Sequence, residues 1–185
     1  MLEIQISFAG TEQILGGEAV SVLELQAELQ AGRLAIDGLT VRHSLANLDL
    51  SGTADLIESQ ASVDLDVKIP SARGLSAYGL SGMGGAAGFR GHVNARWDPV
   101  VSAQVDGQLR LSDFQAPGAY IRAGDGQVQV AVQGDEISGE GQLDLFGITA
   151  SGVGVGEVKL SFQGGQGASG DAWVEAVLGV DQIAM

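Results

Sequence analysis

The feature that most constrains this chain is a strict two-residue alternation of apolar and polar side chains, renewed after nearly every glycine turn. Over 126–162 the sequence reads GQVQVAVQGDEISGEGQLDLFGITASGVGVGEVKLSF. Gly126, Gly141 and Gly156, fifteen residues apart, each open a unit of glycine, polar residue and then alternation. Side chains of a strand point to opposite faces in turn, so Val128, Val130 and Val132 share one face and Gln127, Gln129 and Gln133 the other. Leu143 and Leu145 stand opposite Gln142 and Asp144, and Val158, Leu160 and Phe162 opposite Lys159 and Ser161. Fifteen residues suit one strand and one turn. The pattern predicts many antiparallel strands with one apolar and one wet face.

The same texture runs through the rest of the chain. Strands are predicted over 2–8, 22–30, 46–56, 61–69, 89–97, 101–111, 126–133, 137–146 and 153–163, with a glycine-containing loop over 10–17. VLELQAELQ contains good helix formers, but its apolar residues would scatter around a helix, and period two fits better. GRLAIDGLTV, GQLRLSDFQA and GQLDLFGITA share one pattern at irregular spacing, a sign of repetitive β architecture without a strict solenoid code. Residues 71–88, rich in Gly, Ser and Ala, read as a loop between a first strand block at 1–70 and a second at 89–185 of the same sheet. Asp98-Pro99 marks a turn. DAWVEAVLGVDQ reads as a strand, with a short helix as its competitor. The apolar phase slips by one residue between Leu145 and Ile148 and between Val155 and Val158. Gly147 and Gly156 sit at the slips, as ordinary turns or as bulges that curve the sheet. With 29 glycines and 3 prolines in 185 residues, tight turns and bulges are expected throughout.

Charge and composition exclude several functions. A formal net charge of −14 argues against binding a phosphate backbone or docking on an anionic lipid surface by charge, so no nucleic-acid partner is expected. It fits a solvated face that keeps a sheet protein unpaired at its edges. Without cysteine there is no disulfide, thiolate metal site or cysteine nucleophile. No run of about 18 apolar residues occurs, so no membrane-spanning helix is expected. The first residues, MLEIQISFAG, lack a basic n-region and alternate like a strand. If the chain works outside the cytoplasm, its export signal and anchor are expected on residues outside this sequence. An outer-membrane barrel is disfavoured, since aromatics make up 5% and form no girdles.

No constellation of catalytic or metal-binding residues stands out. Gly82-x-Gly84-x-x-Ala87 lacks the preceding buried strand and following helix of a dinucleotide site, and reads as a flexible loop. Asp64 and Asp66, with Lys68 beyond them, could do acid–base or metal chemistry, but on an alternating strand they read as the wet face. Asp135, Glu136 and Glu140 read as turn acids. His43 and His92 are the only imidazoles; a triad or metal site would need them brought together with a third group, and nothing in their surroundings hints at it. Gly164–Asp171, GGQGASGD, resembles one calcium-binding nonapeptide repeat but has Ser169 where that motif needs Asp. No G-x-S-x-G occurs. No enzyme, cofactor or metal is expected. A β-sandwich hydrolase working through two carboxylates finds no favoured pair.

Four segments carry a family resemblance: GRLAIDGLTVRHSLANLDLSGTADL, GFRGHVNARWDPVVSAQVDGQLRL, GDGQVQVAVQG and GEGQLDLFGITASG. In short alternating strands, glycine turns and Asp-Gly-Leu steps, the chain resembles the interior of the AsmA/TamB family of bacterial envelope proteins. That resemblance implies an all-β fold, a long, curved and twisted, mainly antiparallel sheet with an apolar groove that bridges inner and outer membranes. It implies a periplasmic, non-catalytic module of a Gram-negative envelope that carries phospholipid acyl chains or supports outer-membrane biogenesis, with an outer-membrane assembly protein as a further partner. The groove would be lined by Leu48, Leu50, Val63, Leu65, Val67, Val105, Leu109, Leu111, Val128, Val130, Val132, Leu143, Leu145, Val158, Leu160 and Phe162. The alternative is a structural β-solenoid or adhesin-like passenger module with a closed, dry core.

Overall fold

A computed structural model describes residues 3–15, 18–74, 81–167 and 170–184. Eleven strands follow one another: β1 (Glu3–Leu15), β2 (Glu18–Gln30), β3 (Arg33–His43), β4 (Asn47–Asp55), β5 (Gln60–Ile69), β6 (Gly84–Arg96), β7 (Ser102–Ala116), β8 (Ala119–Gln133), β9 (Glu136–Ala150), β10 (Val153–Gln166) and β11 (Ala172–Ala184). They form one antiparallel sheet whose spatial order is the order of the sequence, and β1 and β11 do not meet to close a barrel. β5 and β6 pair directly across the long 70–83 connection.

The glycine turns explain the meander. Ala31-Gly32 and Ser151-Gly152 have positive φ at both residues, +50° and +82°, and +51° and +81°, the backbone of a two-residue hairpin whose twist matches its strands. Strands therefore run further into the turns than the sequence pattern indicates: β7, β8 and β9 are 15 residues each. Residues 33–43, where only a repeat was recognised, form β3, and the ambiguous C-terminal segment forms β11. β1 runs through 10–15 of the expected 10–17 loop, of which 16 and 17 lie outside the described residues. Residues 84–88, expected in the 71–88 loop, begin β6. That loop's 75–80 lie outside the described residues.

Bulges keep the apolar residues on one face. Ile36 and Leu39 are three apart, which alternation would send to opposite faces. Ala27 and Gly52 pair with Ile36, and Leu25 and Leu50 with Leu39, so one extra residue of β3 sits between them and restores the phase. A second extra residue lies in β7 opposite Gly85, whose φ is +80°. The slip at Gly147 is different: its φ is +61°, and the β8–β9 ladder passes from Ile121↔Ile148 to Ala123↔Phe146 with no residue added. Beyond the slips Phe114, Ile121, Ile148 and Val155 form a row of their own.

The sheet is a single layer. Among the described residues only Ala27, Ala72 and Val158 are buried apolar side chains, and no large side chain is fully buried. The chain exposes 11699 Å². A compact protein of its 18.9 kDa would expose about 8300 Å².

Candidate functional site

The ladder registers assemble the alternating residues into rows crossing the sheet. One apolar row runs Leu25, Leu39, Leu50, Leu65, Gly91, Gly107, Val128, Gly141, Phe162 and Ala176. The next runs Val41, Leu48, Val67, Phe89, Leu109, Gly126, Leu143, Leu160 and Leu178. The groove-lining residues named from the sequence all fall in such rows on one face, where Val158 is buried and the rest are half-buried. Aromatic rings fill the glycine gaps. A Cβ on Gly91 or Gly107 would lie 2.8 or 2.2 Å from the Phe89 ring, and one on Gly141 2.5 Å from Phe162. At the β11 end the face is open, with Val174 81% and Leu178 61% exposed. No other element covers it among the described residues.

The opposite face encloses space. A trough of about 1120 Å³ crosses the sheet from Asp37 on β3 to Val177 on β11. It touches consecutive triplets such as Asp49–Leu50–Ser51, Asp64–Leu65–Asp66 and Gln127–Val128–Gln129. The outer members of each triplet share a face, so the volume lies over the polar side. Leu50, Leu65, Val128 and Phe162 reach it only as central members of their triplets. A second hollow of about 820 Å³ adjoins it along Ser62, Asn94 and Gln104, and Val132 is the one groove-lining residue that touches it. The other groove-lining residues border neither volume.

Cross-strand pairs organise the polar side. Arg90 Nη2 donates to Asp66 Oδ2 at 2.6 Å, and Lys68 Nζ lies 3.4 Å from the same oxygen. The Arg90 hydrogen bond holds the Asp66 carboxyl below its ordinary range, against a smaller upward push from desolvation. Arg42 does the same for Asp49 at 2.6 Å, helped by Thr40. Asp64 and Asp66 therefore part: Asp66 is ion-paired, and Asp64 turns to His92.

His92 is the centre of an arrangement that sequence reasoning did not find. Register places it between Asp64 on β5 and Asp106 on β7. Its Nδ1 lies 2.8 Å from Asp64 Oδ1 and its Nε2 3.0 Å from Ser62 Oγ. Asn94 Oδ1 is 3.2 Å from the same Nε2. With the proton on Nδ1, the ring donates to Asp64 and accepts from the Ser62 hydroxyl. The Asp64 and Asn94 hydrogen bonds raise the imidazole pKa above its ordinary value. Ser62 and Asp64 are two apart on one strand face, so S-x-D was visible in the sequence. The β5–β6 register that brings His92 to them was not. His43 is remote from this group; its Nδ1 accepts from the Leu45 backbone N–H. No cluster of three His, Asp or Glu side chains suited to a metal ion occurs among the described residues. Gly82 and Gly84 flank the start of β6, which is followed by no helix.

No helix of the described residues is long and apolar enough to cross a membrane. Comparison with known proteins found no matching family model, no matching curated protein and no matching solved structure.

Proposed function

We propose that the apolar face carries phospholipid acyl chains, and that the chain is a segment of an AsmA/TamB-like bridge across a Gram-negative periplasm. The observation that carries this reading is the uncovered apolar face itself. Its rows continue from strand to strand, and its Leu and Val side chains are half-buried or, on β11, exposed, in a sheet with no second layer among the described residues. Such a surface demands a partner. Burial is worth about 0.8 kcal/mol per CH2, so shielding a 16-carbon chain recovers on the order of 10 kcal/mol. A continuous stripe of near-equivalent positions lets a chain slide, where a pocket would hold it. Delivery toward the outer membrane makes an outer-membrane assembly protein the natural second partner.

Photo-crosslinkers at Leu143, Leu145, Val128 and Leu160 are expected to capture phospholipid, and those at Gln142, Asp144 and Gln127 are not. Capture from both sets alike would refute the assignment of faces. Leu143→Asp is expected to leave the protein folded but lipid-defective, because Leu143 is half-exposed and a carboxylate there stays hydrated. In a closed dry core it would bury an unpaired charge and unfold the chain.

The trough on the polar face favours one variant of this reading, in which the apolar face meets a bilayer and not single lipids. Flotation with phosphatidylethanolamine–phosphatidylglycerol vesicles separates the two. Cofractionation with vesicles supports the bilayer, and copurified lipid without flotation supports transit.

A further inference from the structure

We propose that Ser62, His92 and Asp64 form a nucleophilic acyl-transfer site on the polar face, hydrolysing short, uncharged or cationic esters. This inference is independent of the lipid reading, since it uses the other side of the sheet.

Three observations carry it. The connectivity is that of a nucleophile, a base and an orienting carboxylate: Ser62 Oγ to His92 Nε2 at 3.0 Å, and His92 Nδ1 to Asp64 Oδ1 at 2.8 Å. The group stands where the trough and the second hollow adjoin, with Asp64 and His92 in the one and Ser62 in the other. Asn94 faces Ser62 directly across the ladder, and its amide NH2 is a donor within this row for an oxyanion.

The chemistry closes on these residues. Ser62 Oγ bonds to the acyl carbon as its proton passes to Nε2. The bond from that carbon to the leaving alcohol breaks, and the alcohol oxygen takes the proton from Nε2. Water then adds to the acyl-Ser62 with its proton going to Nε2. The carboxylic acid leaves, and the proton returns to Ser62. Asp64 is a positioning residue that holds the tautomer. Its side chain is 74% exposed and that of His92 41%, so solvent screens their interaction and turnover is slow. The charged groups around the ring are Asp64 and Asp106 directly beside it and Asp66 paired with both Arg90 and Lys68, so the two carboxylates next to the imidazole disfavour anionic substrates.

The test is hydrolysis of p-nitrophenyl acetate by the whole chain, together with labelling by a fluorophosphonate and mass spectrometry. Label on Ser62 is expected. Ser62→Ala and His92→Gln should each lose about tenfold or more of the protein-dependent rate, and His43→Gln none. The rate should rise with pH through a titration above about 6.5. Asp64→Asn should lower that midpoint, an effect a merely structural role would not produce. p-Nitrophenyl hemisuccinate, which is anionic, should react more slowly than the acetate. Circular dichroism of each variant reports its folding. Wild-type rates in a folded Ser62→Ala, or label on another residue, would overturn the proposal.

Discussion

Replacing Gly107 by Ala tests how the sheet fills its glycine gaps. A Cβ there would meet Phe89 Cζ at 2.2 Å, Phe89 Cε2 at 2.4 Å and the Arg90 carbonyl oxygen at 3.0 Å. Carbon atoms rest about 3.5 Å apart or more, so the ring must move by roughly 1.3 Å. Overpacking of that kind costs about 1–3 kcal/mol. The backbone gain of Ala over Gly in a strand, about 0.5–1 kcal/mol, offsets part of it. The net expectation for Gly107→Ala is a loss of about 0–2.5 kcal/mol. Phe89→Ala removes a half-buried ring and should cost about 2 kcal/mol, below the range of a fully buried phenylalanine. In the Phe89→Ala background the ring clash is gone and only the tight approach to the Arg90 carbonyl oxygen remains, so Gly107→Ala becomes near neutral. The two changes are therefore coupled by roughly 1–3 kcal/mol, the overpacking removed with the ring. Urea unfolding followed by Trp97, just beyond the end of β6, measures this locally once Trp173 is replaced by Phe. Each kcal/mol moves the midpoint by roughly 0.3–1 M. Additivity within about 0.5 kcal/mol would show that the ring does not lie over Gly107.

Gly85→Ala should destabilise far more than Gly118→Ala in thermal melts: both have φ near +80°, but a Cβ at Gly85 meets the Asp113 carbonyl oxygen at 2.2 Å and one at Gly118 meets nothing within 4 Å. Equal losses would refute the bulge packing. Asp49 and Asp66 have carboxyls held below the ordinary 3.8, so their ion pairs stabilise the fold above that value, and the contribution disappears as pH falls below it. Arg90→Gln should flatten the acid limb of stability against pH slightly, and 0.5 M salt should do the same to the parent, because these pairs are solvent-exposed. An unchanged acid limb in both would sink that assignment. EDTA is expected to leave the melting temperature unmoved, and a clear drop would reveal a bound metal.

Period two was enough to read the strands, because a one-layer sheet with one wet face writes its alternation directly into residues such as Val128, Val130 and Val132. β3 was missed as a strand because its extra residue puts Ile36 and Leu39 out of phase, so a local window sees the alternation break. The glycines at 91, 107 and 141 carry no packing signal in the sequence, yet they are covered by Phe89 and Phe162, a complementarity that exists only across strands. For the same reason His92 looked isolated. Its partners lie 28 and 30 residues back, at positions set by the length of the 70–83 connection and the β5–β6 register. The polar-side trough was illegible too, since curvature belongs to the sheet as a whole and to no single strand.

A sheet in which every strand lies beside its sequence neighbours is thermodynamically close to a one-dimensional chain. Every hairpin but β5–β6 closes a short loop, so strands can be added in order at small entropic expense, and folding can begin at any of the short turns and spread both ways. The free energy of opening should then grade along the molecule, lowest at β1 and β11 and highest toward β6–β8, and amide exchange would trace it as a ramp instead of a single global value. A strand could be deleted or duplicated with its turn and leave the others in place. Length in such an architecture is a quantity that selection can adjust strand by strand.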